Sequence, residues 1–202
     1  MKRIIVSRLP TRSGNFDIYG YQAQASGVEH VALVSGSLPV PEPVLVRIQS
    51  ECLTGEVFGS LRCDCRAQLD LALGAISSAG GIIVYLRGHE GRGIGLLNKL
   101  RAYALQDRGR NTVHANRELG LPVDARNYSA AADILKDLGV RNLRLLTNNP
   151  DKVRAMEQAG LKVIERVPIV SESTPENEDY LRTKEEELGH LFGDPSSPER
   201  GG

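Results

Sequence analysis

The hydrophobic period changes near residue 66, and that change limits the possible folds more than any other feature of the chain. Before it, KRIIV, FDIYGYQA, HVALVSG and VLVRIQ are short runs rich in β-branched and aromatic residues, separated by Gly, Pro and Ser turns, the pattern of strands and hairpins. After it, Leu69, Ala72, Leu73 and Ile76 recur at helical spacing and stop at Gly80-Gly81. GIIVYL reads as a short buried strand. A helix is expected from about Leu96 to Arg108, with Leu96, Leu100 and Tyr103 on one apolar stripe, and a shorter one over about 130–138. LRLLT is a strand, Asn149-Pro150 starts a helix with proline at its first position, and LKVIERV returns as a strand, completing a βαβ unit. NEDYLRTKEEELGHL makes a last acidic helix. A β-rich N-terminal part followed by alternating strands and helices predicts a single mixed α/β domain over 1–192, with GDPSSPERGG (193–202) a disordered tail.

A chain of 202 residues is long enough to bury one core. No run approaches the ~20 apolar residues of a membrane helix, and the N-terminus has only a three-residue apolar run, so neither membrane partner nor signal peptide is expected. The cysteine count is three, and Cys63 and Cys65 are separated by one residue. That suits reduced, metal-binding thiolates in a cytoplasmic protein better than a disulfide framework. The net charge of zero conceals an asymmetry. Residues 86–110 carry six Lys/Arg against two acids, a balance of +4, while 171–202 carry nine acids against three bases, a balance of −6. Two solvated faces are the plainer reading. A neutral protein with one basic stretch argues against a nucleic-acid partner and is compatible with a pocket for one small polyanion.

Cys52, Cys63 and Cys65 form a C-x10-C-x-C pattern. Thiolates two residues apart can converge on one ion, with Cys52 approaching from the end of the strand VRIQS. Cys65 stands where a helix begins, and the free N–H groups there favour thiolate. Three soft ligands select zinc over magnesium or calcium. A catalytic zinc keeps three protein ligands and a place for water, whereas a structural one takes four. The structural alternative must therefore recruit His30, His89, His114 or His190 from a distance, and unliganded buried cysteines are a third possibility.

RGHEGRGIG, between a strand and a helix, supplies N–H groups free to meet an anion, flanked by Arg87 and Arg92. It lacks the Gly-Lys-Ser/Thr of a P-loop, and a merely flexible loop is the alternative. TNNPDK offers a second helix N-terminus, with Thr147 at the strand end and Lys152 in the first turn. Asn149 there is best explained as a helix cap; Lys152 is equally consistent with a phosphate contact and with a surface position. Asp124 and Arg126, two residues apart, fall on one face if their segment is extended, as a salt bridge or as a functional pair.

SECLTG with SLRCDC, then HEGRGIGLLNK, RAYALQD, DARNY, RLLTNNPDK, ERVP and GHL together resemble GTP cyclohydrolase II, from about residue 45 to 192. The resemblance implies conversion of GTP to 2,5-diamino-6-ribosylamino-4(3H)-pyrimidinone 5′-phosphate, formate and pyrophosphate, at the entry to riboflavin synthesis, by a cytoplasmic homodimer using zinc and magnesium. It implies that Cys52, Cys63 and Cys65 hold zinc. It also implies that GTP is contacted by Arg47, Ile48, Gln49, Ser50, Glu51, Gln68, Glu90, Gly91, Arg92, Thr112, Thr147 and Lys152. The family residues matching Asp124 and Arg126 are assigned as proton acceptor and nucleophile, and Tyr103 is similar to a tyrosine near the imidazole ring. A guanidinium with a pKa of about 12.5 or above suits charge stabilisation better than nucleophilic attack. Tyr103, three residues after Leu100, is otherwise a core residue. Two alternatives stand beside this function: a same-fold paralogue that stops at the formamidopyrimidine, and a non-enzymatic, zinc-stabilised nucleotide-binding module with a closed Cys3His site.

Overall fold

The computed structural model describes residues 1–109, 112–187 and 189–191, the side chains of Thr112 and Asp179 apart; the expected tail at 193–202 lies outside the described residues. Seven strands form one mixed sheet: β1 (Lys2–Thr11), β2 (Gly14–Gln22), β3 (Glu29–Ser35), β4 (Val44–Ser50), β5 (Gly81–Leu86), β6 (Asn142–Leu146) and β7 (Lys162–Val167). Their spatial order is β1-β2-β3-β5-β4-β6-β7. The first three and β5 pair antiparallel, whereas β5, β4, β6 and β7 run parallel. The helices among the described residues are α1 (Leu53–Glu56), α2 (Cys65–Ala79), α3 (Leu96–Gln106), α4 (Thr112–Glu118), α5 (Ser129–Asp137), α6 (Pro150–Gln158) and α7 (Glu178–Glu186). This is the mixed α/β architecture expected from the change of period.

The core lies on both faces of the sheet. Ile82, Val84 and Leu86 of β5 pack with Ile134 and Leu135 of α5 and Met156 of α6. Ile83, the residue of opposite parity, packs with Ala72 and Ile76 of α2. The two-residue alternation of a strand thus serves two buried faces at once, as parallel strands require. Asn149 caps α6, its side chain accepting a hydrogen bond from the Asp151 N–H at 2.8 Å, with Pro150 at the first helical position. The cap assignment holds.

Two expectations fail. The stripe of α3 is not a core stripe: Leu100 is 44% exposed and Ala102 is the buried residue, because α3 packs on α4 and on the turn before it rather than on the sheet. Helices α1 and α4 are unforeseen. Both are short, and only five residues separate α4 from α3, too little sequence for a separate apolar period to show.

Candidate functional site

From β4 the chain passes to β5 on one side, and later to β6 on the other side of β4. The strand order therefore reverses at β4, and in parallel sheets the crevice at the carboxyl ends of strands beside such a reversal is where ligands bind. Three loops open there: Glu51-Cys52 after β4, the glycine-rich segment after β5, and Thr147-Asn148-Asn149 after β6. The first two border a cavity of about 650 Å³ lined by, among others, Cys52, Cys63, Cys65, Arg92, Tyr103 and Arg126, within the range of ligand pockets, and the third borders an adjoining pocket.

The three sulfur atoms lie within 4.8 Å of one another. Cys52 leads into α1, and Cys65 opens α2. Gly55 makes their convergence possible: a Cβ there would stand 2.7 Å from Cys63 Sγ and 3.2 Å from Cys52 Sγ. Hydrogen bonds from Cys63 and Cys65, with the Lys99 ammonium 3.2 Å away, drive the Cys52 pKa down. The same pairing pushes Cys63 up to about 11. Lys99 is itself fixed by Glu90 Oε1 at 2.6 Å and Thr54 Oγ1 at 2.7 Å. No histidine joins the metal-competent group among the described residues. His89 Nδ1 instead lies 3.1 Å from Ser50 Oγ, and His30 Nδ1 accepts from the Arg87 N–H. Three cysteine sulfurs, with no fourth ligand grouped beside them among the described residues, make the donor count of an open zinc site.

The cationic side of the cavity is built from partly buried side chains. Both terminal nitrogens of Arg92 are buried without a hydrogen-bond partner. Arg92 is also held at positive φ, 61°, next to Gly91 at 60°, and its carbonyl accepts from the Ala125 N–H at 2.9 Å. That bond ties the glycine-rich loop to the segment carrying Asp124 and Arg126. The Arg126 backbone N–H and Nε each donate to Asp124 Oδ1 at 2.9 Å, and Nη2 pairs with Oδ2. Burial alone lowers the Arg126 pKa, but the Asp124 carboxylate outweighs it, and the net shift is upward.

Lys152 is buried, its Nζ donating to the Ile48 carbonyl at 2.7 Å, so the surface alternative for it is excluded. Burial first, then Arg47 and Arg126, hold its pKa well down. It lines an adjoining pocket with Arg47, Gln49, Gln68, Thr147, Tyr180 and Lys184.

Several of the other expected contacts are occupied within the protein. Arg47 donates to Gln49 Oε1, Gln68 Oε1 and the Leu146 carbonyl. Ile48 is fully buried. Glu51 accepts from the Gly88 N–H, Glu90 from the Leu53 N–H, and Thr147 Oγ1 from the Asn149 N–H. The side chain of Thr112 lies outside the described residues. Tyr103 is half-buried on the cavity wall, with its hydroxyl 3.3 Å from Thr54 Oγ1 and the Arg62 guanidinium 4.9 Å from its ring. Gly55 and Tyr180 escaped the sequence reading, His89 entered it only as a candidate zinc ligand, and Lys99 only as one of a basic stretch. Their spacing carries no period, and only the fold brings them to the cavity.

A cysteine triad and partly buried cations around one cavity, at the strand ends of an α/β sheet, is the layout of an enzyme site for a small anionic substrate. The chain belongs to the GTP cyclohydrolase II family, whose model matches residues 2–168, and with that family to the hydrolases. It is 61% identical over 188 residues to a riboflavin biosynthesis protein RibBA of Salinispora tropica, covering 93% of this chain and 47% of that protein. It is 56% identical over 191 residues to a probable monofunctional riboflavin biosynthesis protein RIBA 3, chloroplastic, of Oryza sativa subsp. japonica, covering 94% of this chain and 36% of that one. A RibBA of Nocardia farcinica is 56% identical over 189 residues, with 93% and 46% covered. The chain thus spans about half or less of the length of these relatives.

Proposed function

We propose that this chain hydrolyses GTP to 2,5-diamino-6-ribosylamino-4(3H)-pyrimidinone 5′-phosphate, formate and pyrophosphate, opening riboflavin synthesis. The observation that carries this is Arg92, whose two terminal nitrogens are buried without a hydrogen-bond partner, in one cavity with the cysteine triad. An unpaired buried charge is costly, and a phosphate group is the ligand its donors fit. The soft, closely set sulfurs and the space left by Gly55 fit zinc, held by Cys52, Cys63 and Cys65. When bound, zinc supplies Lewis acidity toward water and the purine ring. Magnesium travels with the triphosphate.

The protein's own groups then divide the work. Arg92 and Arg126 bind phosphate oxygens, and Asp124 holds the Arg126 fork in one orientation. Because Asp124 raises the Arg126 pKa, Arg126 remains a cation and stabilises charge developing on the α-phosphate rather than attacking it. The Tyr103 hydroxyl, anchored near Thr54 Oγ1 beside the cysteines, is placed to hydrogen-bond the opening imidazole ring. Residues Arg47 to Glu51, Gln68, Glu90, Gly91, Thr112, Thr147 and Lys152 frame the nucleotide, in part through backbone atoms and in part by fixing one another. No helix among the described residues is long and apolar enough to cross a membrane; cytoplasmic location and a homodimer complete the proposal. Incubating the protein with GTP, zinc and magnesium and assaying formate and pyrophosphate separately tests it. Both products are expected in equal amounts. Pyrophosphate without formate overturns the assignment in favour of an enzyme that keeps the formyl group, and neither product overturns catalysis on GTP.

A further inference from the structure

Helix α7 lies beyond the stretch the family model matches, and its acidic composition reads as a solvated face. One of its side chains does the opposite. Lys184 Nζ donates to Asp64 Oδ1 at 2.5 Å, across 120 residues, with the two side chains 8% and 1% exposed. Asp64 stands between Cys63 and Cys65, at the cap position of α2, where an aspartate ordinarily accepts a hydrogen bond from the first turn. Here its side chain makes no capping bond. It points inward instead, Oδ1 toward Lys184 and Oδ2 accepting from Gln68 Nε2 at 2.7 Å.

From Gln68 the chain of buried bonds continues. Arg47 donates to Gln68 Oε1 and to Gln49 Oε1, Gln49 Nε2 donates to Glu56 Oε1 at 2.6 Å, and Tyr85 donates to Glu56 Oε2 at 2.5 Å. Helix α7 is thereby wired beneath the cysteine turn to the centre of the sheet. Lys184 also lies 4.6 Å from the Tyr180 ring, and Arg92 lies 5.7 Å from the same ring, so α7 touches the cationic wall as well.

We propose that Lys184 is a positioning residue for the metal centre: through Asp64 it sets how Cys63 and Cys65 present their sulfurs, making α7 a working wall of the site. A carboxylate at this depth is tolerated only while paired. Without the ammonium, Asp64 loses the contact that holds its side chain inward and turns away, which re-aims the residues on both sides of it. Partners that orient metal ligands in this way commonly alter metal affinity by about 10- to 100-fold. The inference rests on the metal site proposed above.

The test is zinc affinity by competition with a chromophoric chelator, together with the absorption spectrum of the cobalt-substituted protein, for wild type, Lys184→Met, Lys184→Arg, Asp64→Asn and the Lys184→Met/Asp64→Asn double variant. Lys184→Met is expected to weaken zinc binding by about 10- to 100-fold and to shift the cobalt–thiolate bands, with Lys184→Arg recovering part of both. The double variant should be no weaker than the worse single one, as for two residues acting through one contact. Glu185→Gln, on the exposed side of the same helix, should change neither readout. If Lys184→Met does not fold, the double variant, which leaves no unpaired buried charge, carries the same expectation. Wild-type affinity and spectrum in a folded variant lacking Lys184 overturn the inference, whereas a wild-type protein that binds neither zinc nor cobalt overturns the metal site itself.

Discussion

In the parallel half of the sheet, β4 and β5 are buried almost from end to end, and their neighbouring polar residues crowd the carboxyl ends, where Ser50, Cys52 and Arg92 are found. In the antiparallel wing, β1 is an edge strand with Ile4, Ile5 and Val6 exposed by 54%, 66% and 51%. Apolar residues pack on both faces of β5, so the site's polar side chains gather toward the carboxyl ends of the parallel strands. The wing has no such restriction and builds no part of the site. Chemistry and stability should both concentrate in the parallel half and fall away toward β1.

Substitutions can break that comparison. The largest effect is expected from Cys63→Ser, which replaces a soft thiolate by a hard hydroxyl. It should lose both bound zinc and formate release, and metal analysis beside a formate assay checks this. Arg126→Ala should lower turnover by about 100-fold or more, as for other groups that stabilise transition-state charge. Arg126→Lys should recover about one to two orders of magnitude, since the charge remains and the fork is lost. A phosphorus-bearing adduct on Arg126 found by mass spectrometry would show it to be a nucleophile after all.

Ile48→Ala, in the middle of β4, should cost about 2–5 kcal/mol in urea unfolding, the usual penalty for emptying a core position. Tyr103→Phe keeps the ring's packing and removes one hydroxyl. It should slow formate release about tenfold, the loss of roughly one hydrogen bond, while pyrophosphate release continues. Equal loss of both products, or of neither, makes Tyr103 a packing residue. The smallest effect belongs to the wing: Ile5→Ser should change stability by no more than about 0.5 kcal/mol and leave turnover unchanged. A larger loss there would mean that β1 is covered by something in solution.

The layered fold was legible because it follows from local period, and strands of period two followed by helices of period 3.6 leave few architectures. The thiolate triad was legible for a related reason, since a two-residue separation already brings Cys63 and Cys65 together. What the sequence hides is long-range. Lys184 pairs with Asp64 across 120 residues, from a helix whose composition reads as solvated. Lys152 could equally have been a surface residue until the fold buried it against the Ile48 carbonyl. Gly55 gives no signal of its own, because its role is an absence of atoms between two sulfurs. The α3 stripe misled for the converse reason: an apolar helical face shows that something is adjacent, but not that it is the core.

The central claim is that the thiolate triad and the cationic strand ends form one metal-dependent site. It is tested most directly by stripping the protein of metal, then titrating zinc back in the presence of GTP and magnesium while measuring formate. Formate release should be absent at first, rise in proportion to added zinc, and level off at one equivalent per chain. Release at the full rate from the metal-free protein, or zinc bound at one equivalent with no formate formed, would contradict it.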